Sequence, residues 1–287
     1  MAQAAIVIFD IDGVVRDVGG SYRRALADTV EYLTAGQYRP SAQEIDQLKG
    51  EGIWNNDWEA SQELVYRYFA GQPSGTAAIA TATEAIVQPD PQGRGGIRVD
   101  YDRLVGFFQS RYRGTDPVNW NGYIRDEPLL MDKPYLDQLT TAGLAWGFFS
   151  GATRGSASYV LERRIGLESP VLVAMEDAPG KPDPTGLFAT LAQVSTRFEE
   201  VDPAAPVLYV GDTVADMYTV ARAREVQGDR RWLAVGVLPP HVQETPERQT
   251  AYAASLTQAG ADVVLDTVQA LTPSAIAQLL ATTAPHA

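Results

Sequence analysis

Four short stretches of this chain carry residue types that handle charge. In Asp10–Ile11–Asp12–Gly13 two carboxylates stand two positions apart. Extended backbone points residues at that spacing to the same side. Crowded carboxylates repel and raise one another's pKa unless a cation neutralises them. Magnesium, which takes carboxylate and water ligands, would do so. A solvated turn at a strand end is the competing reading, because Asp and Gly often make one. In Ser150–Gly151–Ala152–Thr153 the Ser150 hydroxyl and the N–H groups near Gly151 could hold the oxygens of an anion such as phosphate, with Arg154 as an extra contact. An ordinary turn after a strand has the same composition. In Gly180–Lys181–Pro182–Asp183–Pro184 two prolines stiffen the approach to a helix and present Lys181 as a positioned cation; Asp177 is a weaker acidic candidate for the same cleft. In Gly211–Asp212–Thr213–Val214–Ala215–Asp216, Asp212 directly follows an apolar run and Asp216 lies about one helical turn on. Asp212 can reach a metal or cap a helix. Asp216 can brace it, or a neighbour, from behind.

Each stretch needs an element to position it. Residues 4–9 are continuously apolar and β-branched in the middle, which predicts a central strand covered on both faces. From 132 onward the pattern alternates. Helices are predicted over 132–141, 156–165, 184–194, 217–224, 250–259 and 273–280, and strands over 144–149, 171–174, 207–210, 232–237 and 263–265. That rhythm makes an α/β fold with a Rossmann-like parallel sheet flanked by helices. All four charged stretches then fall beyond strand ends, where open α/β sheets bind ligands. Together they supply a nucleophile, a cation, anion holders and a metal ligand, the parts that phosphoryl transfer needs.

Between the first strand and this alternation the chain reads as helical. Helices are predicted at 21–33, behind a capping box at Ser41 and Glu44, at 59–69 and at 101–112, with a long loop over 71–96 around a short Ala/Thr helix. The predicted organisation is a discontinuous α/β core, 1–15 and 127–287, and an inserted, mainly helical cap, 16–126.

Composition narrows the chemistry. The 287 residues are 45% hydrophobic and carry a formal charge of -13. That balance argues against non-specific nucleic-acid binding, and no basic recognition helix stands out. Zero cysteines exclude disulfides, thiol catalysis and cysteine-held metals, while two distant histidines, His241 and His286, cannot build a histidine-rich centre. Any metal is therefore a hard cation on oxygen ligands. No apolar run reaches the ~20 residues of a membrane span, and the N-terminus lacks a basic leader. Cytoplasmic residence is the expectation.

With its four stretches in this order, the chain resembles the haloacid dehalogenase (HAD) superfamily, in particular its phosphatases with a helical cap after the first motif. Asp10–Ile11–Asp12–Gly13–Val14–Val15 matches the nucleophile motif, Ser150 the phosphate-binding motif, Lys181 within GKPDP the third, and Gly211–Asp212–Thr213 with Asp216 the acidic fourth. The match runs over about 6–271, and the cap adds no signature. The resemblance implies that Asp10 attacks phosphorus and becomes an aspartyl-phosphate. Asp12 would protonate the leaving oxygen and then help activate water. Mg2+ would be held by Asp10, the Asp12 backbone carbonyl and Asp212. Ser150, Gly151 and Lys181 would bind the phosphoryl group, and Asp216 would orient the metal shell or Lys181. A phosphomonoester hydrolase acting on a small phosphorylated metabolite is the leading expectation. A sugar phosphomutase, a phosphonatase using a cap lysine such as Lys49, and a non-catalytic binding protein on the same scaffold are the alternatives.

The cap should choose the substrate. Lys49–Gly50–Glu51–Gly52–Ile53–Trp54–Asn55–Asn56–Asp57–Trp58 joins glycine turns, two aromatic rings and two amides, which suit a polar organic group. Lys49, Trp54, Asn55, Asn56 and Trp58 are its candidate contacts, against a plain helix connection anchored by the two tryptophans. Arg16, Arg23 and Arg24 could meet a second anionic group or form a solvated helical face.

Overall fold

The computed structural model describes residues 5–51, 53–54, 56–72, 86–198 and 201–282. They fall into two units, one built from Met1–Asp17 and Pro128–Ala287, the other from Val18–Glu127. Both boundaries lie slightly later than the sequence suggests, so Arg16 and Asp17 belong with the α/β unit.

Among the described residues the strands are β1 (Ala5–Phe9), β2 (Val87–Pro89), β3 (Ile97–Val99), β4 (Leu144–Phe149), β5 (Leu172–Val173), β6 (Val207–Gly211), β7 (Trp232–Val237) and β8 (Val263–Leu265). The larger sheet has the order β5-β4-β1-β6-β7-β8 and is parallel throughout. β1 is central and wholly buried, and its side chains alternate. Ala5, Val7 and Phe9 enter the core on one face; Ile6 and Ile8 enter the core on the other. This is why the run 4–9 shows no polar alternation: neither face meets water.

The helices of this unit are α5 (Lys133–Thr141), α6 (Arg154–Ser158, continued by a π-helical turn, Tyr159–Arg164), α7 (Thr185–Arg197), α8 (Val214–Val226), α9 (Pro246–Gln258) and α10 (Pro273–Thr282); α1 to α4 are in the other unit. α5, α6 and α10 supply Leu136, Leu139, Val160, Leu161 and Ile276 to the first core face. α7, α8 and α9 supply Leu187, Leu191, Met217, Val220 and Leu256 to the second. Helices thus cover both faces, as the alternating pattern requires. α9 starts four residues before its predicted position because Thr245 caps it and Pro246 takes its first turn.

The second unit holds α1 (Tyr22–Leu33), α2 (Ala42–Gly50), α3 (Asp57–Ala70) and α4 (Tyr101–Tyr112). α1 packs on α3 and α4, with Tyr22 stacked on Tyr112 at 4.0 Å and Tyr32 on Phe107 at 4.1 Å. The capping box at Ser41 and Glu44 is present. The stretch predicted as a loop over 71–96 ends in structure: β2 and β3 form an antiparallel pair. Each strand is only three residues long, too short for alternation to be seen. The expected Ala/Thr helix lies outside the described residues.

Candidate active site

β4, β1 and β6 are neighbours in the sheet, and each delivers one polar residue at its C-terminal end: Ser150 after β4, Asp10 after β1, Asp212 after β6. The strand order reverses beside β1, since the chain runs from β1 through β4 and β5 on one side and then through β6, β7 and β8 on the other, and such a switch point opens a crevice in a doubly wound sheet. Lys181 arrives from the loop between β5 and α7. Its Nζ lies 2.9 Å from Asp10 Oδ1 and 2.6 Å from Asp216 Oδ1. It also sits 5.3 Å and 5.4 Å from the ring centres of Phe149 and Tyr209, whose faces favour a cation.

Asp216 is fully buried and fully engaged. Its Oδ1 accepts from Lys181 and, at 3.0 Å, from the Tyr209 hydroxyl. Its Oδ2 accepts from the Thr213 N–H at 2.9 Å and the Thr213 hydroxyl at 2.6 Å. Thr213 in turn caps α8 through the Asp216 N–H, so one capping box both starts the helix and aims the carboxylate. Tyr209, Thr213 and the Tyr252 hydroxyl, which donates to the Asp212 carbonyl at 3.0 Å, are partners that sequence reading missed. The Thr-x-x-Asp spacing was the available signal for Thr213. Neither tyrosine carries one.

Close approach is built in. Gly13 has φ +76°, and a Cβ there would stand 2.1 Å from Asp212 Oδ2. A Cβ at Gly211 would stand 2.3 Å from the Asp216 Cβ. Glycine at both positions lets three acidic side chains crowd together. Carboxylate oxygens of Asp10, Asp212 and Asp216 all lie within 4.8 Å of one another.

The electrostatics follow. Burial pushes the Asp10 carboxyl up to about 7, against the opposing pull of Lys181. Burial, then the charges of Asp216 and Asp10, hold Asp212 well above the usual carboxylate range. For Asp216 burial is outweighed by Lys181 and the Thr213 hydrogen bonds, so its carboxyl is held low. Burial alone would pull Lys181 down, but Asp10 and Asp216 keep it above its ordinary value and therefore charged. Asp216 is satisfied by its neighbours, whereas Asp10 and Asp212 are acids strained by burial and repulsion. An oxygen-only pair of this kind fits a hard divalent cation, which would relieve both.

The remaining predicted residues are placed as follows. The Ser150 hydroxyl is buried and accepts from the Ala152 N–H at 3.0 Å; the Cα of Gly151 faces open space. Arg154 is paired with Asp177, whose carboxylate also accepts from the Ala174 N–H at 2.7 Å. Arg16, expected in the cap, is fully buried in the α/β unit and bonded to Asp12. In the other unit Arg23 pairs with Asp46, Arg24 lies 4.2 Å over the Tyr123 ring, and Lys49 is 2.7 Å from Asp57. Trp54 donates to Glu51 at 2.8 Å, and the Asn56 side chain caps α3 by accepting from the Trp58 N–H at 2.9 Å. Asn55 and His286 lie outside the described residues.

A family model described as haloacid dehalogenase-like hydrolase matches residues 4–224. The chain belongs to this family. A curated relative, imidazoleglycerol-phosphate dehydratase from Phytophthora nicotianae, is 28% identical over 270 residues, which are 90% of this chain and 49% of that protein. The chain thus spans about half the length of the curated relative it matches. Solved structures of similar fold include phosphatase Tt82 from Thermococcus thioreducens (23% identity, 80% of this chain and 92% of that one, TM-score 0.59). They also include a phosphonoacetaldehyde hydrolase-like protein from Oleispira antarctica (17% identity, 97% and 93%, TM-score 0.60) and CbbY from Rhodobacter sphaeroides in complex with phosphate (13% identity, 94% and 96%, TM-score 0.57). These likenesses confirm a HAD fold with an inserted helical cap. No described helix is long and apolar enough to cross a membrane.

Proposed function

We propose that this HAD hydrolase is a magnesium-dependent phosphomonoesterase that acts on a small phosphorylated metabolite through an aspartyl-phosphate. What supports the reading most is Lys181 Nζ bridging Asp10 and Asp216 beside Asp212 at the ends of adjacent strands. Carboxylate attack on a phosphate dianion brings negative charges together, and a largely covered, charged lysine offsets that repulsion in the transition state.

In the proposed reaction an Asp10 oxygen forms a bond to phosphorus while the bond to the ester oxygen breaks. The departing electron pair stays on that oxygen, which takes the proton of Asp12 and leaves as an alcohol. Asp12 then accepts a proton from water as the water oxygen bonds to phosphorus. The acyl-phosphate P–O bond breaks, its pair returns to Asp10 as carboxylate, and inorganic phosphate departs. Covalent catalysis divides one hard hydrolysis into two easier steps. Ser150 and the N–H groups near Gly151 bind the phosphoryl oxygens. Asp10, the Asp12 backbone carbonyl and Asp212 would hold Mg2+, which when bound supplies Lewis-acid stabilisation of the phosphoryl charge. Asp216 keeps Lys181 aimed.

The substrate class is open to direct test with a panel of metabolite phosphates, assayed with magnesium and with EDTA. Phosphorylated imidazole compounds belong in the panel because the name of the curated relative carries one. Phosphate release is expected with magnesium only, and Asp10→Asn should abolish it. Retained release in that variant would remove Asp10 from the nucleophile role.

A further inference from the structure

Asp12 has an unusual companion. The loop after β1 turns back on itself: the N–H groups of Val15 and Arg16 donate to the Ile11 carbonyl at 2.8 Å and 3.2 Å, and the Gly13 N–H donates to the Arg16 carbonyl at 2.9 Å. This brings the Arg16 side chain, 0% exposed, onto Asp12. Arg16 Nε is 2.7 Å and Nη2 is 2.6 Å from Asp12 Oδ1. Both contacts fall on the same oxygen. Arg16 also bridges to Leu129, where the chain returns from the insertion. The backbone that carries the gripping side chain is therefore fixed on both sides of Arg16, by Asp17 N–H to the Pro128 carbonyl and Leu130 N–H to the Val15 carbonyl.

We propose that Arg16 is a positioning residue that fixes the Asp12 carboxylate for proton transfer, with Oδ1 docked on the guanidinium and Oδ2 left to carry the proton. The proposal rests on the phosphomonoesterase reading above. An aspartate side chain has two rotatable bonds, and a charge-assisted hydrogen bond from Nε, with Nη2 close to the same oxygen, restricts that freedom. Holding a catalytic group in place is worth large factors in rate, and small displacements forfeit them. A buried guanidinium without an acid partner would be costly, so the pair is also self-consistent as packing. The two roles separate by leaving group. An aryl ester such as 4-nitrophenyl phosphate departs without a proton, whereas an alkyl ester such as glycerol 2-phosphate needs one.

The test is the ratio of kcat/KM on glycerol 2-phosphate to kcat/KM on 4-nitrophenyl phosphate, measured with magnesium. Arg16→Met should lower the ratio by roughly ten-fold or more, because general acid catalysis contributes about 10²–10⁴. Arg16→Lys, which keeps the charge but not the Nε donor, should lower it by a smaller factor. An unchanged ratio in whichever variant melts like the parent overturns the proposal. Asp12→Asn separates the two levels of inference. If it leaves the ratio unchanged, the acid role of Asp12 has failed; if the parent chain hydrolyses neither ester nor any panel member, the phosphatase reading has failed.

Discussion

Two clusters of buried charge, one in each unit, are built differently. In the second unit Glu63, 4% exposed, meets Arg67 Nε and Arg94 Nη2, each at 2.7 Å, and Arg67 also grips Glu51 with two bonds of 2.8 Å. Two guanidinium groups serve two carboxylates. Burial pushes Glu63 up, but Arg94 and Arg67 overcome it and leave the carboxyl low. In the α/β unit one ammonium serves three carboxylates, and two of these are held high. Burial of charge marks neither region as functional. The imbalance of sign does, because an acid excess in a buried crevice is stable only when a cation or a proton completes it.

The sharpest way to break this contrast is to remove the ammonium that touches Asp10 and Asp216. Lys181→Met should lower kcat for phosphate release by about 10²–10³, the usual cost of losing one charge-stabilising donor. A loss under ten-fold in a variant that still melts cooperatively would mean that the acid excess manages without its lysine.

A second test exploits the proton. Asp10 titrates at about 7 in the folded chain and near the ordinary ~4 when unfolded. Between those values the folded state binds more protons, so this group's contribution to stability falls as pH rises through the window. The low carboxyl of Asp216 acts in the opposite sense, with stability lost only as pH drops below the ordinary carboxylate range. Magnesium competes with the Asp10 proton. The rise in melting temperature on adding magnesium should therefore be clearly larger at pH 8 than at pH 5.5. An equal rise at both would place the cation elsewhere.

The smallest effect is expected in the balanced cluster. Glu63→Ala should destabilise the protein by about 1–2 kcal/mol, because both arginines are about half exposed and water replaces part of what is lost. Phosphate release at a temperature well below the melt should not change. A drop in kcat larger than the loss of stability explains would show that this cluster does more than brace its unit.

These regions were unequally legible. The α/β architecture could be read because apolar runs such as 4–9 and 207–210 end abruptly in acids, and a strand end is where such a change belongs. The acidic fourth stretch could be read for the same reason. The bond from Arg16 to Asp12 could not: the two lie four apart outside any helix, and only the fold of the loop after β1 brings them together. Tyr209 looked like one more core residue of an apolar strand, and its hydroxyl acquires meaning only once α8 returns Asp216 beneath it. In the second unit, Lys49 and Trp54 offered side chains of the right type, yet their partners Asp57 and Glu51 sit in the same polar stretch, where sequence cannot distinguish contact from solvation.

The place of β1 in the sheet has a consequence for how the protein is made. Its register partners are Ala145 and Val207, contributed by segments that emerge from the ribosome long after it. At ordinary rates of translation, residue 6 must wait on the order of 10–40 seconds for residue 207. Throughout that interval the fully buried strand β1, with Asp10 at its tip, lacks its β6 neighbour. Asp10 and Asp212, which the crevice brings together, can therefore meet only after residue 212 has been made.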